Sequence, residues 1–102
     1  MADVTFMRVR VGGPDGQLVT LRGRVAWTLS HLIDAGERGC TPIERPAPRW
    51  SDYVFKLRKV GILVETIHEG HHGAYAGHHG RYVLRTEIEV VERAFAGGEV
   101  AA

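Results

Sequence analysis

Arg49, Ser51, Asp52, Phe55, Lys56 and Lys59 fall within the stretch RWSDYVFKLRKVG, bringing guanidinium, hydroxyl, carboxylate, aromatic and ammonium groups together over a short length of chain. Each has a use against duplex DNA. An arginine can pair with O6 and N7 of one guanine, a contact worth about 1–3 kcal/mol of discrimination. A serine can donate to a base or a phosphate, a carboxylate can accept from cytosine N4, and a phenylalanine can touch a thymine methyl. The carboxylate also repels phosphates, whereas lysines suit them as point charges. At a period of about 3.6 residues, Trp50, Tyr53, Val54 and Leu57 gather on one face with Val60 at its edge, the pattern of a helix lying on a core. Asp52, Phe55 and Lys59 fall on the opposite face, flanked by Ser51, Lys56 and Arg58. Arg58 sits nearer the core edge and reads as structural. The plainer account of such a face is a solvated helix surface. Phe55 can equally pack under a C-terminal helix or against a second subunit.

A second concentration of chemistry is GHHGAYAGHHG, with His68 just before it. Imidazoles bind zinc, copper and nickel. Here His71 and His72, and again His78 and His79, are adjacent, and neighbouring side chains on an extended backbone point apart. Glu69 is the one acidic neighbour, no cysteine completes a tetrahedral set, and the glycines make ordering the ligands entropically costly. The reading is therefore no metal and no cofactor. As the tip of a hairpin, the same loop can instead lie along a phosphate backbone, with His71, His72, His78, His79, Tyr75 and Arg81 as donors. Histidines in that role should strengthen binding as the pH falls below about 6.5.

Catalysis finds no support in spacing. Cys40 precedes Thr41 and Pro42 and reads as a small buried side chain rather than an activated thiol. His31 has Asp34 one turn on, a common surface pair, and reads as an exposed histidine. No phosphate-cradling Gly-Lys-Ser/Thr loop is present. GGPDG is a turn. The expectation is that the chain is not an enzyme.

The elements that must hold these groups can be read in order. VTFMRVRV alternates as a strand, GGPDG turns, and QLVTL returns, an N-terminal β-hairpin over 1–21. RGRVAWTLSHLIDAG follows as a helix with Val25, Leu29, Leu32 and Ile33 on one face and Gly36 as its stop. Thr41, Pro42 and Glu44 have the spacing of a capping box, but Pro46 and Pro48 arrive at once and restrict that helix to about one turn. A third helix, 49–60, ends at Gly61. ILVETIHE and RYVLRT form a hairpin over 62–86 with the histidine-rich loop at its tip. In TEIEVVERAF, Thr86 and Glu89 again have capping-box spacing, and Ile88, Val91 and Phe95 recur at helical intervals, so 87–96 reads as a C-terminal helix. Residues 97–102 read as a frayed tail.

The totals fit one small domain: 102 residues, 44% hydrophobic, 25% charged. No apolar run approaches the roughly 18 residues of a membrane span, no export leader is evident, and a single cysteine allows no internal disulfide, so a cytoplasmic location is expected. The net charge of +1 is unevenly spread: residues 22–61 hold eight Arg or Lys against four Asp or Glu, and residues 62–102 hold three against six. The central segment is thus the positive one, as a phosphate binder requires.

RWSDYVFKLRKVGILVET followed by RYVL resembles the small winged helix-turn-helix domains of bacteriophage and bacterial genomes. Arg49, Ser51, Val54, Leu57, Arg58, Lys59, Gly61, Val64, Glu65, Thr66, Arg81, Tyr82 and Leu84 stand where that family carries its helix start, its Leu-Arg-Lys-x-Gly ending and its wing strands. The likeness runs from about Arg24 to Arg85. The family's second helix usually extends for two turns or more, and TPIERPAP is shorter by about a turn. The resemblance implies an α+β winged helix-turn-helix core over 22–86, here with an N-terminal β-hairpin and a C-terminal helix. It implies a DNA-binding transcriptional regulator of phage type, with double-stranded DNA as partner and the third helix in the major groove. A homodimer through Ile88, Val91 and Phe95 would double its footprint, unless those residues pack on their own first helix. The alternative is a winged-helix module for protein contacts, anchored by Phe55.

Overall fold

The computed structural model describes residues 3–47, 49–71, 77–97 and 100–101, by backbone alone at 71, 77–79 and 100–101. Strand β1 (Val4–Val11) turns through Gly13–Gly16, where the Gly16 N–H donates to the Gly13 carbonyl at 2.9 Å, and β2 (Gln17–Arg22) pairs back antiparallel. Helix α1 (Gly23–Ala35) begins directly after Arg22 and ends at Gly36, whose N–H caps the Leu32 carbonyl. A 3-10 turn (Gly36–Arg38) follows. Helix α2 (Trp50–Lys59) is the third predicted helix, with Arg49 and Val60 as its caps; Pro48 lies outside the described residues. Strands β3 (Val64–His71) and β4 (Gly77–Leu84) form the predicted hairpin.

The C-terminal helix expected over 87–96 is not formed. Ile88–Phe95 is strand β5, antiparallel to β1, and Val100–Ala101 adds β6 beside it, so the sheet order is β2-β1-β5-β6. Ile88 lies opposite Val11 and Val90 opposite Val9; a register shift then pairs Arg8 with Glu92, leaving Val91 out of register. Ile88, Val91 and Phe95 stand at helical spacing in the sequence, but in the strand Ile88 and Phe95 pack against the core while the bulged Val91 is exposed. Thr86 is not a helix cap, because its hydroxyl accepts from the Leu63 N–H at 2.7 Å. The N-terminal hairpin consequently shares one sheet with the C-terminal strand, and the helix that was to form a dimer does not exist. The tail expected over 97–102 lies partly outside the described residues, and Val100–Ala101 is paired.

The core forms where α1 crosses the sheet. Val4, Met7, Val9 and Leu21 from the sheet, Ala26, Leu29 and Leu32 from α1, and Trp50, Val54 and Leu57 from α2 are buried together. Because the sheet covers one side of α1 while α2 and β4 cover another, Trp27, Thr28 and Ser30 are buried as well. Periodicity alone shows only one apolar stripe; the second is covered because α1 lies between two layers. His31 is accordingly half-buried rather than exposed, edge-on to the Trp27 ring at 4.5 Å between centroids.

Candidate nucleic-acid interface

Helix α2 turns Trp50, Tyr53, Val54 and Leu57 inward, as the spacing predicts, and leaves Arg49, Ser51, Phe55, Lys56 and Lys59 exposed. Phe55 is 57% exposed, and the Lys59 ammonium lies 5.5 Å from the centroid of its ring. Asp52 is the acid on this face. Its carboxylate is 3.2 Å from the Lys56 ammonium and 4.0 Å from the Arg49 guanidinium. It therefore orders two cations along the helix more than it offers a free acceptor to cytosine. The C-terminal strands lie in the sheet beside β1 and leave this face uncovered.

Two joints fix α2 against the hairpin, and a third ties the hairpin to the segment before α2. The Trp50 indole stacks on Tyr82 and lies 5.7 Å from Trp27, with its N–H donating to the Arg45 carbonyl at 2.6 Å. Arg58, which the sequence marks as structural, donates through Nε and Nη2 to the Val64 carbonyl and through Nη2 to the Thr66 hydroxyl. At the other side of the hairpin, Arg81 donates to Glu69 at 2.7 Å, to Glu44 at 3.2 Å and to the Arg38 carbonyl at 3.1 Å. Arg38 in turn binds Glu44 at 2.9 Å. The hydrogen bond to Glu69, against some desolvation, raises the Arg81 pKa further. Burial alone would raise the Glu44 carboxyl, but the hydrogen bonds and charges of Arg38 and Arg81 lower it overall. Arg81 thus holds the hairpin in place, and its guanidinium is already engaged.

The predicted one-turn helix is a single capped turn. The Thr41 hydroxyl accepts the Glu44 N–H at 3.1 Å and the Thr41 carbonyl accepts the Arg45 N–H at 3.0 Å. Just before it, Cys40 exchanges two backbone hydrogen bonds with Tyr82, at 2.9 and 2.8 Å, and acts as a one-residue third strand on β4. A single residue leaves no periodic signal, so sequence reasoning missed this contact. Gly39 makes it possible: its φ is +70°, and a Cβ there would collide with the Tyr82 carbonyl.

His31 and Cys40 sit apart from α2's outward face. They border a cleft of about 680 Å³ between the end of α1 and the Thr41 turn. The Cys40 thiol donates to the His31 carbonyl at 3.4 Å, and burial pushes its pKa up. Burial, aided by Arg45, pushes the His31 pKa below its usual value. The side chains of His71, His72, His78 and His79 lie outside the described residues. Among the described residues no three His, Cys, Asp or Glu side chains group as metal ligands, and no helix is long and apolar enough to cross a membrane.

A helix braced by a short turn, a following helix with one open face, and a two-stranded hairpin extended by a third short strand invite comparison with known families. A family model described as a winged helix domain matches residues 18–94. The chain belongs to that family. The match begins within β2 and ends within β5, so the winged helix here includes part of the sheet as well as both helices and the hairpin, and β3–β4 is its wing. Winged helix domains are in general DNA-binding folds. No curated protein and no solved structure matched the chain.

Proposed function

We propose that this winged helix domain is a DNA-binding regulator, of the kind small phage and bacterial genomes encode, that docks α2 in the major groove. Arg49 and Ser51, at the start of the helix, reach base edges; Phe55 lies toward a thymine methyl; Lys56 and Lys59 neutralise phosphates. The wing runs along the backbone with its histidine-rich tip. The observation that supports this most is the uncovered face of α2, with Arg49, Lys56 and Lys59 against Asp52 alone. A cytoplasmic location belongs to the same reading.

Salt dependence tests it. Fluorescence anisotropy with mixed-sequence duplex should show affinity falling linearly on a log–log plot as salt rises, by a slope of about 0.9 for each phosphate neutralised. Arg49→Ala should relax base preference, and Lys59→Ala should weaken all sequences alike. No binding at low salt would remove DNA as the ligand.

A second reading draws on exposed apolar groups. Phe55, Val60 and Leu63 are each more than a third exposed near the end of α2. An aromatic anchor ringed by charge is also how a protein partner is held. Under that reading, Phe55→Ala abolishes partner binding, and raising salt has little effect.

A further inference from the structure

Among the described residues the sheet is open along β2, and the part of β5 that β6 leaves unpaired is broken by the bulge at Val91 and carries Glu89 and Glu92. In the order β2-β1-β5-β6, β6 closes part of one side, and among the described residues nothing pairs with the outer side of β2. An exposed strand edge offers a row of unpaired backbone donors and acceptors, which proteins usually blunt with proline, lysine, a bulge or an inward charge. The sequence of β2, QLVTLR, has no proline, lysine or acidic residue, and it pairs with β1 without any break in register. Leu18 on this strand is 49% exposed. The wing strands differ: β3 carries Glu65 and Glu69, and β4 already has Cys40 on its outer side.

We infer that β2 pairs antiparallel with β2 of a second copy of this chain, joining the two sheets about a two-fold axis at Thr20. Directly opposed residues in an antiparallel pair share a face of the sheet, so a self-pairing must centre on a residue. Centring on Thr20 sets Val19 against Leu21 of the copy on the core side, twice, extending the buried apolar layer of both chains. On the outer side it sets Thr20 against Thr20 and Leu18 against Arg22. Arg22 already lies over the Phe6 ring at 5.0 Å, so its charge points toward β1 and its aliphatic stem is left for the incoming leucine. No like charges face each other in this register, and a Thr–Thr pair across the axis stabilises such a ladder.

Sedimentation velocity on the full chain without DNA is the test, so its outcome does not depend on the proposed DNA binding. The wild type should sediment at twice the mass of the 11.3 kDa chain. Thr20→Lys, which sets two ammonium groups across the axis, and Leu18→Lys, which sets one against Arg22 of the copy, should each weaken the dimer about tenfold or more. Thr5→Lys, on the neighbouring strand, should leave it intact. Circular dichroism checks the fold of each variant, and filtered NOEs between Val19 and Leu21 methyls in a mixed-label sample report the register directly. A wild type that stays monomeric up to about 1 mM, or a dimer that survives both lysines at β2, overturns the inference.

Discussion

The rings of Trp50 and Tyr82 lie 5.6 Å apart and 5° from parallel, so the start of α2 rests flat on the middle of β4. Trp27 adds a tilted contact from α1, its ring 60° from the plane of Trp50 and covered by the Arg24 guanidinium at 4.9 Å. Helix, helix and wing therefore meet in one aromatic joint, and the open face of α2 takes its direction from it. Replacing Tyr82 by Leu keeps an apolar side chain but removes the ring and with it the stack. It should cost about 1 kcal/mol, the excess of an aromatic pair over area burial. The check is a urea midpoint that falls with an unchanged m-value; a midpoint equal to wild type would mean that the stack contributes nothing.

Arg81 was a candidate phosphate contact in the sequence, and in the structure it ties Glu69 and Glu44 together across the wing. A positioning residue and a phosphate ligand differ in their salt signature. Arg81→Gln should destabilise the fold by about 1 kcal/mol, as partly exposed ion pairs do. It should weaken DNA binding by about fivefold while leaving the salt slope unchanged. A slope shallower by about one would place the guanidinium on a phosphate instead.

Gly39 allows Cys40 to pair with Tyr82. Gly39→Ala meets both a positive φ and the Tyr82 carbonyl, and should destabilise by on the order of 2 kcal/mol. Hydrogen exchange localises the effect: the Tyr82 and Cys40 amides should lose protection first. Protection equal to wild type would show that the bridge does not need glycine.

Burial holds the His31 pKa below its ordinary value, with Arg45 adding to the effect and Asp34 and Asp3 opposing it. In the unfolded chain the imidazole takes its proton near about pH 6.5, before it does so in the fold. The stability contributed by neutral His31 is therefore complete above that pH and is lost as pH falls from it toward the depressed folded value. Thermal melts between about pH 7.5 and 5 should show wild type losing more stability than His31→Gln. Equal losses would remove His31 from the pH response.

The order of helices and wing was legible because local chemistry marks it: Gly36 and Gly61 stop helices, Thr41 caps a turn, and the inward residues of α2 recur at helical spacing. What escaped was non-local. Ile88 and Val90 belong to a strand only because β1 lies beside them, and the bulge at Val91 breaks the strict alternation that marks a strand. The burial of Trp27 and His31 depends on a second layer over α1. Arg81 finds Glu44 37 positions away, a pairing that spacing rules do not reach. At the candidate interface, Arg49, Phe55, Lys56 and Lys59 were visible as an outward face, but the capture of Asp52 between two cations emerges only from side-chain geometry.

The most direct measurement is an amide chemical-shift titration of the intact chain with random-sequence duplex DNA at low salt. Changes should concentrate on Arg49, Ser51, Phe55, Lys56 and Lys59 and extend into the wing, and should fade as salt is raised. Spectra that do not move, or shifts confined to the four-stranded sheet, would contradict a groove-docking role for α2.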